Sequence, residues 1–217
     1  FIPCQDGHHG DFAGFNMTDT WGPWIESGQV MVFSIDTIDL ETWSNKNGDP
    51  YWRARRYEDW IRYITDEMVP FIRNMVNERN GWDGYPGIMT LGCSLGATHA
   101  ANLYFRRPDL FDRVLALSGI YTADYGWDGY MDEVVYQNSP VHYLSNMPAN
   151  HSYIEKYNRN QGIICVGQGA WEQVDTTRIL DELFREKGIN VWVDYWGYDV
   201  NHDWPWWYKQ VAYFVPT

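Results

Sequence analysis

The stretch "GIMTLGCSLGATHAANLYFRR", Gly87 to Arg107, decides how this chain is read. It runs from a short apolar segment, through one serine held between Gly92 and Gly96, into a segment with helical composition. A strand that turns sharply into a helix forces the residue at the turn into a strained backbone. Its neighbours two before and two after must then be small. Gly92 and Gly96 meet that demand, so Ser94 is expected to stand exposed above a sheet, at a helix N-terminus whose free N–H groups favour negative charge. The five-residue pattern alone is short enough to arise by chance. Its position between strand and helix gives it meaning.

Outward from this point, short apolar runs alternate with longer helical patterns. The expected strands are 1–4, 29–35, 87–93, 113–120, 162–168 and 190–196. Most are continuously apolar rather than alternating, the mark of strands buried on both faces. Helical patterns cover 51–78, 95–107 and 175–188. In the first, Tyr57, Ile61, Ile64, Met68 and Phe71 recur at three- and four-residue spacing, and Pro70 is expected to kink it. Strand–helix alternation of this kind predicts an α/β fold with a mostly parallel sheet and helices on both faces. No linker or repeat divides residues 1–217, so one domain is expected. Within it, 121–161 is a long aromatic and turn-rich excursion at the strand edge where such sheets bind ligands, read here as a cap or substrate wall.

Composition narrows the function. The net charge of -13 argues against an extended nucleic-acid or anionic-membrane surface. No run approaches the ~20 apolar residues that span a bilayer. No secretory signal is visible, which leaves the compartment open; "NMT" at Asn16 and "NHS" at Asn150 fit a glycosylation pattern that is common by chance. Cys4, Cys93 and Cys165 each lie in or beside an apolar run, so three reduced, buried thiols are expected rather than disulfides or a zinc site. The 13 Trp and 16 Tyr exceed ordinary usage. They suit a large core and its rim, and leave room for an aryl- or carbohydrate-binding cleft.

A serine hydroxyl needs a base, and the base needs an acid to orient it. With the serine on a strand–helix turn, the chain order is serine, acid, histidine. His202, in "WGYDVNHDWPWW", is the histidine that follows the last expected strand. His99 falls inside the helix after Ser94, where a packed structural role is expected. His8 and His9 could line the cleft; as adjacent imidazoles they suit a metal poorly, so no metal is expected. His142 and His151 have no assigned role. For the acid, "VGQGAWEQVD" offers Glu172 in the loop and Asp175, which looks like the N-cap of the following helix. Asp203 is expected to cap the last helix, with Pro205 in its first turn.

At these residues the sequence resembles the esterase family of the α/β-hydrolase superfamily that holds esterase D-like enzymes, feruloyl esterases and the antigen 85 acyltransferases. The resemblance covers nearly the whole chain. Its strongest points are "GCSLGATHAANLYFRRPDLFDRVLALSGIY" (92–121), "GQGAWE" (167–172) and "NHDWPWW" (201–207). It implies Ser94 as nucleophile, His202 as base and Glu172 as acid. The oxyanion donors would be the backbone N–H groups of Leu95 and of Gln5, in the loop after the first central strand. It also implies ester hydrolysis through an acyl-enzyme without metal or organic cofactor, on a small-molecule or carbohydrate ester. Acyl transfer by the same triad and carbohydrate binding without catalysis are the alternatives. Trp171, Trp204 and His8 are candidate substrate contacts; Trp206 and Trp207 either join that wall or anchor the last helix. Two departures from the family pattern stand out. Strands normally found ahead of 1–4 have no counterpart before Phe1, so N-terminal edge strands are expected to be missing, and Ala170 stands where a carboxylate would be unsurprising. Oligomeric state is not legible.

Overall fold

Four of the expected apolar runs lie side by side in a parallel sheet: β1 (Met89–Cys93), β2 (Arg113–Leu117), β3 (Gln161–Val166) and β4 (Val191–Tyr195), in the order β1-β2-β3-β4. The computed structural model describes residues 17–81 and 83–215, and the backbone only of Met17. Each pair is in regular register, with Cys93 beside Leu117 and Leu117 beside Cys165.

Why the strands read as unbroken apolar runs is visible in their two faces. Alternate side chains of a strand point to opposite sides. Val114, Ala116 and Ile164 enter one buried cluster; Leu115, Leu117, Ile163 and Cys165 enter another. Helices cover both. On the first face lie α2 (Pro50–Arg62), α4 (Leu95–Arg106), α8 (Ser152–Arg159) and α9 (Val174–Lys187). On the second lie α1 (Met17–Glu26) and α10 (Trp204–Phe214), through Trp21, Trp207, Val211 and Phe214. Gly188, left-handed at φ 68°, ends α9 as its glycine suggests.

The long helical pattern at 51–78 is interrupted. After α2 the chain makes a π-helical turn over Tyr63–Met68, then resumes as α3 (Val69–Asn80). Pro70 has no N–H to continue an α-helical ladder, and the wider turn ahead of it accommodates that loss. The extra residue rotates the helix beyond it. Tyr57, Ile61 and Ile64 are buried as the spacing predicts, but the inner face then passes to Val69, Ile72 and Val76, and Phe71 is 50% exposed.

Two further expectations fail in this region or fall outside it. Residues 29–35 form no strand among the described residues. Val30 and Val32 line, with Met89 and Leu91 of β1, a cavity of about 480 Å³. The expected first strand, 1–4, lies outside the described residues.

The excursion at 121–161 carries four short helices: α5 (Asp124–Trp127), α6 (Glu133–Tyr136), α7 (Pro140–Asn146) and α8. Tyr121, Trp127, Val135, Leu144 and Tyr157 are all buried in the first cluster, so this segment is docked into the core. No helix among the described residues is long and apolar enough to cross a membrane.

Candidate active site

Ser94 occupies the turn between β1 and α4 with φ 54° and ψ -125°, a conformation that a non-glycine residue adopts only under constraint. The constraint is local. The Ser94 N–H is tied to the Leu117 carbonyl at 2.8 Å, and the Ser94 carbonyl accepts from Ala97 and Thr98 at 3.0 and 3.3 Å. A Cβ on Gly92 would lie 2.2 Å from the Gly96 carbonyl oxygen, so the strand and helix can approach this closely only because Gly92 lacks one. As the first residue of α4, Leu95 has an N–H with no acceptor within the helix.

The loop after β3 and the loop after β4 are stitched together. Gln168 N–H donates to Gly197 at 3.2 Å, Gly169 N–H to Val200 at 2.9 Å, and His202 N–H to Ala170 at 3.0 Å; the Asn201 side chain accepts from Ala170 N–H at 2.8 Å. A Cβ on Gly167 would meet the Val200 carbonyl at 2.3 Å and Glu172 Oε1 at 2.8 Å. These contacts deliver Glu172 and His202 to the same place over Ser94.

His202 Nε2 is 2.8 Å from Ser94 Oγ, and His202 Nδ1 is 3.2 Å from Glu172 Oε2. An ionised carboxylate only accepts, so Nδ1 carries the proton of a neutral ring and Nε2 accepts from the serine hydroxyl. The Glu172 side chain is fully buried, and that of His202 is 16% exposed. The other carboxylate oxygen, Oε1, accepts from the Ser118 hydroxyl at 2.8 Å and from Gly167 N–H at 3.2 Å. Ser118 and Gly167 were not singled out in the sequence. The signal for Ser118 lay in "ALSGI", a strand running into Ser-Gly much as β1 runs into its own turn.

The remaining candidates separate. Asp175 is not an N-cap: Gln173 holds that position, and Asp175 lies exposed in the first turn of α9, paired with Arg178 at 3.3 Å. The helix begins two residues earlier than its Asp-Thr-Thr signal suggests. Asp203 caps α10 through a 2.8 Å bond from Trp204 N–H, as expected. His99 is a fully buried helix residue between Asp39 and Tyr57, at 2.9 and 2.8 Å. His151 caps α8, and His142 faces the Ser139 hydroxyl. Trp207 is buried against β2 and anchors the last helix; Trp204 packs on it edge-to-face, at 5.1 Å between ring centroids. Trp171, directly before Glu172, is left-handed at φ 69° and 87% exposed. Gln5 and His8 lie outside the described residues, as does Cys4. Cys93 and Cys165 are both buried, and Cys165 is a free thiol. Among the described residues no group of three His, Cys, Asp or Glu side chains could hold a metal ion.

A family model described as "Putative esterase" matches residues 1–216. The chain belongs to this esterase family. Among solved structures, a ferulic acid esterase matches the esterase with a TM-score of 0.67 at 19% identity, over 99% of this chain and 81% of that one. A Staphylococcus aureus serine hydrolase, FphF, matches with TM-score 0.65 at 14% identity, over 99% and 80%. The S-formylglutathione hydrolase FrmB of the same organism gives 0.63 at 10%, over 99% and 78%. At such identities the likeness is one of fold, the α/β-hydrolase fold. No curated protein sequence matches the chain.

Proposed function

We propose that this esterase cleaves carboxylic esters through an acyl-enzyme on Ser94, with His202 as general base and Glu172 as the acid that orients it. The observation that carries the reading is the continuous Ser94–His202–Glu172 hydrogen-bond line. Ser94 Oγ attacks the ester carbonyl carbon while its proton passes to Nε2. The tetrahedral oxyanion is held by the Leu95 N–H and, by resemblance, the Gln5 N–H. The imidazolium then gives its proton to the departing alcohol. Water repeats the attack on the acyl-enzyme, and its proton returns to Ser94 by way of the ring as the acid is released.

Residues 1–217 act as a single domain in this reading, with 121–161 forming a wall of the site. Trp171, exposed beside the acid, supports an acyl or alcohol moiety with a flat face, an aryl or sugar group. Trp204 is a second contact and His8 a third. Acetyl, feruloyl and other carbohydrate-linked esters are therefore the substrates to try first.

The test is covalent labelling. A fluorophosphonate probe should attach to Ser94, and Ser94→Ala should abolish both labelling and turnover of p-nitrophenyl acetate and butyrate. Turnover unchanged in that variant would overturn the mechanism.

A further inference from the structure

Ser118 follows β2 as Ser94 follows β1, and it shares that residue's positive φ. Its φ is 58°, against 54° for Ser94. Each donates its N–H to a carbonyl of the adjoining strand at 2.8 Å: Ser94 to Leu117, Ser118 to Cys165. The nucleophile helix secures the bend, since Thr98 Oγ1 accepts from Ile120 N–H at 3.0 Å. A left-handed serine is costlier than a glycine would be. The side chain must account for its presence, yet Ser118 is completely buried and cannot meet substrate.

Its hydroxyl has one proton to give, and the surroundings decide where it goes. Trp207 Nε1 donates to Ser118 Oγ at 3.1 Å, so that contact occupies a lone pair and leaves the proton for another partner. The proton is thereby directed to Glu172 Oε1, 2.8 Å away. With Gly167 N–H on the same oxygen, Oε1 is anchored and Oε2 is left facing His202. Trp207 also stands edge-on to the His202 ring, with centroids 5.0 Å apart and planes at 86°. The four side chains form a closed circuit: Ser118 to Glu172, Glu172 to His202, His202 to Trp207, and Trp207 back to Ser118.

We propose that Ser118 is a positioning residue for ester cleavage, oriented by the Trp207 indole, and that its hydroxyl sets the angle at which Glu172 holds His202. This rests on the triad reading above. The role is distinct from merely satisfying a buried polar atom, because it acts on rate through Glu172 alone.

The experiment compares Ser118→Ala, Ser118→Gly and Trp207→Phe, each alone and with Glu172→Gln, by steady-state hydrolysis of p-nitrophenyl acetate, with circular dichroism melts alongside. Both Ser118 variants should lower kcat on the order of tenfold or more, as expected when a reacting group loses its alignment, with KM changed by less than about twofold. Glycine relieves the left-handed backbone, yet should lose as much rate as alanine whatever its melting temperature. Trp207→Phe keeps a ring against His202 and removes only the donor. It should cost less than Ser118→Ala and add nothing to it, and it carries the test if the Ser118 variants do not fold. In the Glu172→Gln background, Ser118→Ala should change kcat by less than about twofold, since groups acting as one unit are not additive. Wild-type kcat in both Ser118 variants, beside an impaired Glu172→Gln, would overturn the proposal and leave the triad standing. So would a full additional loss in the double variant. Wild-type turnover in Glu172→Gln would remove the acid assignment itself, and this proposal with it.

Discussion

His202 Nε2 lies 2.8 Å from Ser94 Oγ, although 108 residues separate them in the chain. Neither residue's own element sets that distance. The strained turn after β1 fixes the hydroxyl, and the backbone bonds between the loops after β3 and β4 fix the ring.

In the proposed triad the two groups act together, so replacing either should cost nearly as much as replacing both. Ser94→Ala and His202→Ala are each expected to lower kcat by about four to six orders of magnitude, and the double variant should be little worse. Hydrolysis of p-nitrophenyl acetate, corrected for the buffer rate, checks this. Independent, multiplicative losses would show that the 2.8 Å contact is not used in the reaction.

The residues legible in the sequence were those whose chemistry is local. Gly92, Ser94 and Gly96 announce a tight turn by themselves, and the apolar runs of β1, β2 and β3 announce a doubly covered sheet. Chain order pointed to His202 and to the loop that holds both Glu172 and Asp175; it is Glu172 that lies against His202. What stayed hidden depends on contacts remote in sequence. Ser118 is one hydroxyl among many until β3 brings Glu172 beside it. The π-helical turn before Pro70 moved the buried face from Phe71 to Ile72, a change of one residue that no periodicity assuming a uniform helix could register. The segment 29–35 has strand composition but pairs with no strand among the described residues, and composition cannot report a partner.

Gly92 should be intolerant even of alanine. The added Cβ would sit 2.2 Å from the Gly96 carbonyl oxygen and 2.8 Å from the Ala97 nitrogen, both backbone atoms of the first turn of α4. Relief requires moving that turn, which carries the Leu95 N–H. Gly92→Ala is expected to lose about 3 kcal/mol in urea unfolding, the upper range for overpacking, together with most activity. Gly129→Ala is the control. It has φ 88° but nothing within 4 Å of a new Cβ, so only the backbone penalty of about 1 kcal/mol should appear.

The buried line Thr37–Asp39–His99–Tyr57 should govern stability rather than chemistry. Asp39 takes bonds from Thr37 Oγ1 and His99 Nε2, both at 2.9 Å, and His99 Nδ1 accepts from Tyr57 at 2.8 Å. Burial pushes the Tyr57 hydroxyl far above its ordinary value, so it remains a donor. Asp39→Ala would strand the imidazole N–H and the threonine hydroxyl out of water. About 3 kcal/mol or more of stability should be lost. Tyr57→Phe removes one neutral bond and should cost about 1–2 kcal/mol. Denaturant unfolding measures both, and kcat of the folded fraction should stay within about threefold.

Acid sensitivity should trace in part to Glu58. Arg106 grips its carboxylate with two bonds at 2.8 and 2.9 Å, and Asn138 adds a third at 3.0 Å, joining α2, α4 and the chain after α6. Burial alone would raise the carboxyl's pKa; the guanidinium and the amide more than reverse this and hold it below its ordinary value. The unfolded chain therefore takes up this proton first as pH falls. The contribution to stability is whole above the ordinary glutamate range, and it is lost as pH drops through the lower native value. The melting temperature should fall between about pH 5 and pH 3. Glu58→Gln should melt lower at pH 7, because a largely buried guanidinium loses its counter-charge, and should show a shallower slope in that window. Asp109 and Asp132, also held below their ordinary values, titrate alike in both proteins, so the difference between the two curves isolates Glu58. Parallel curves would mean that the ion pair contributes nothing to acid unfolding.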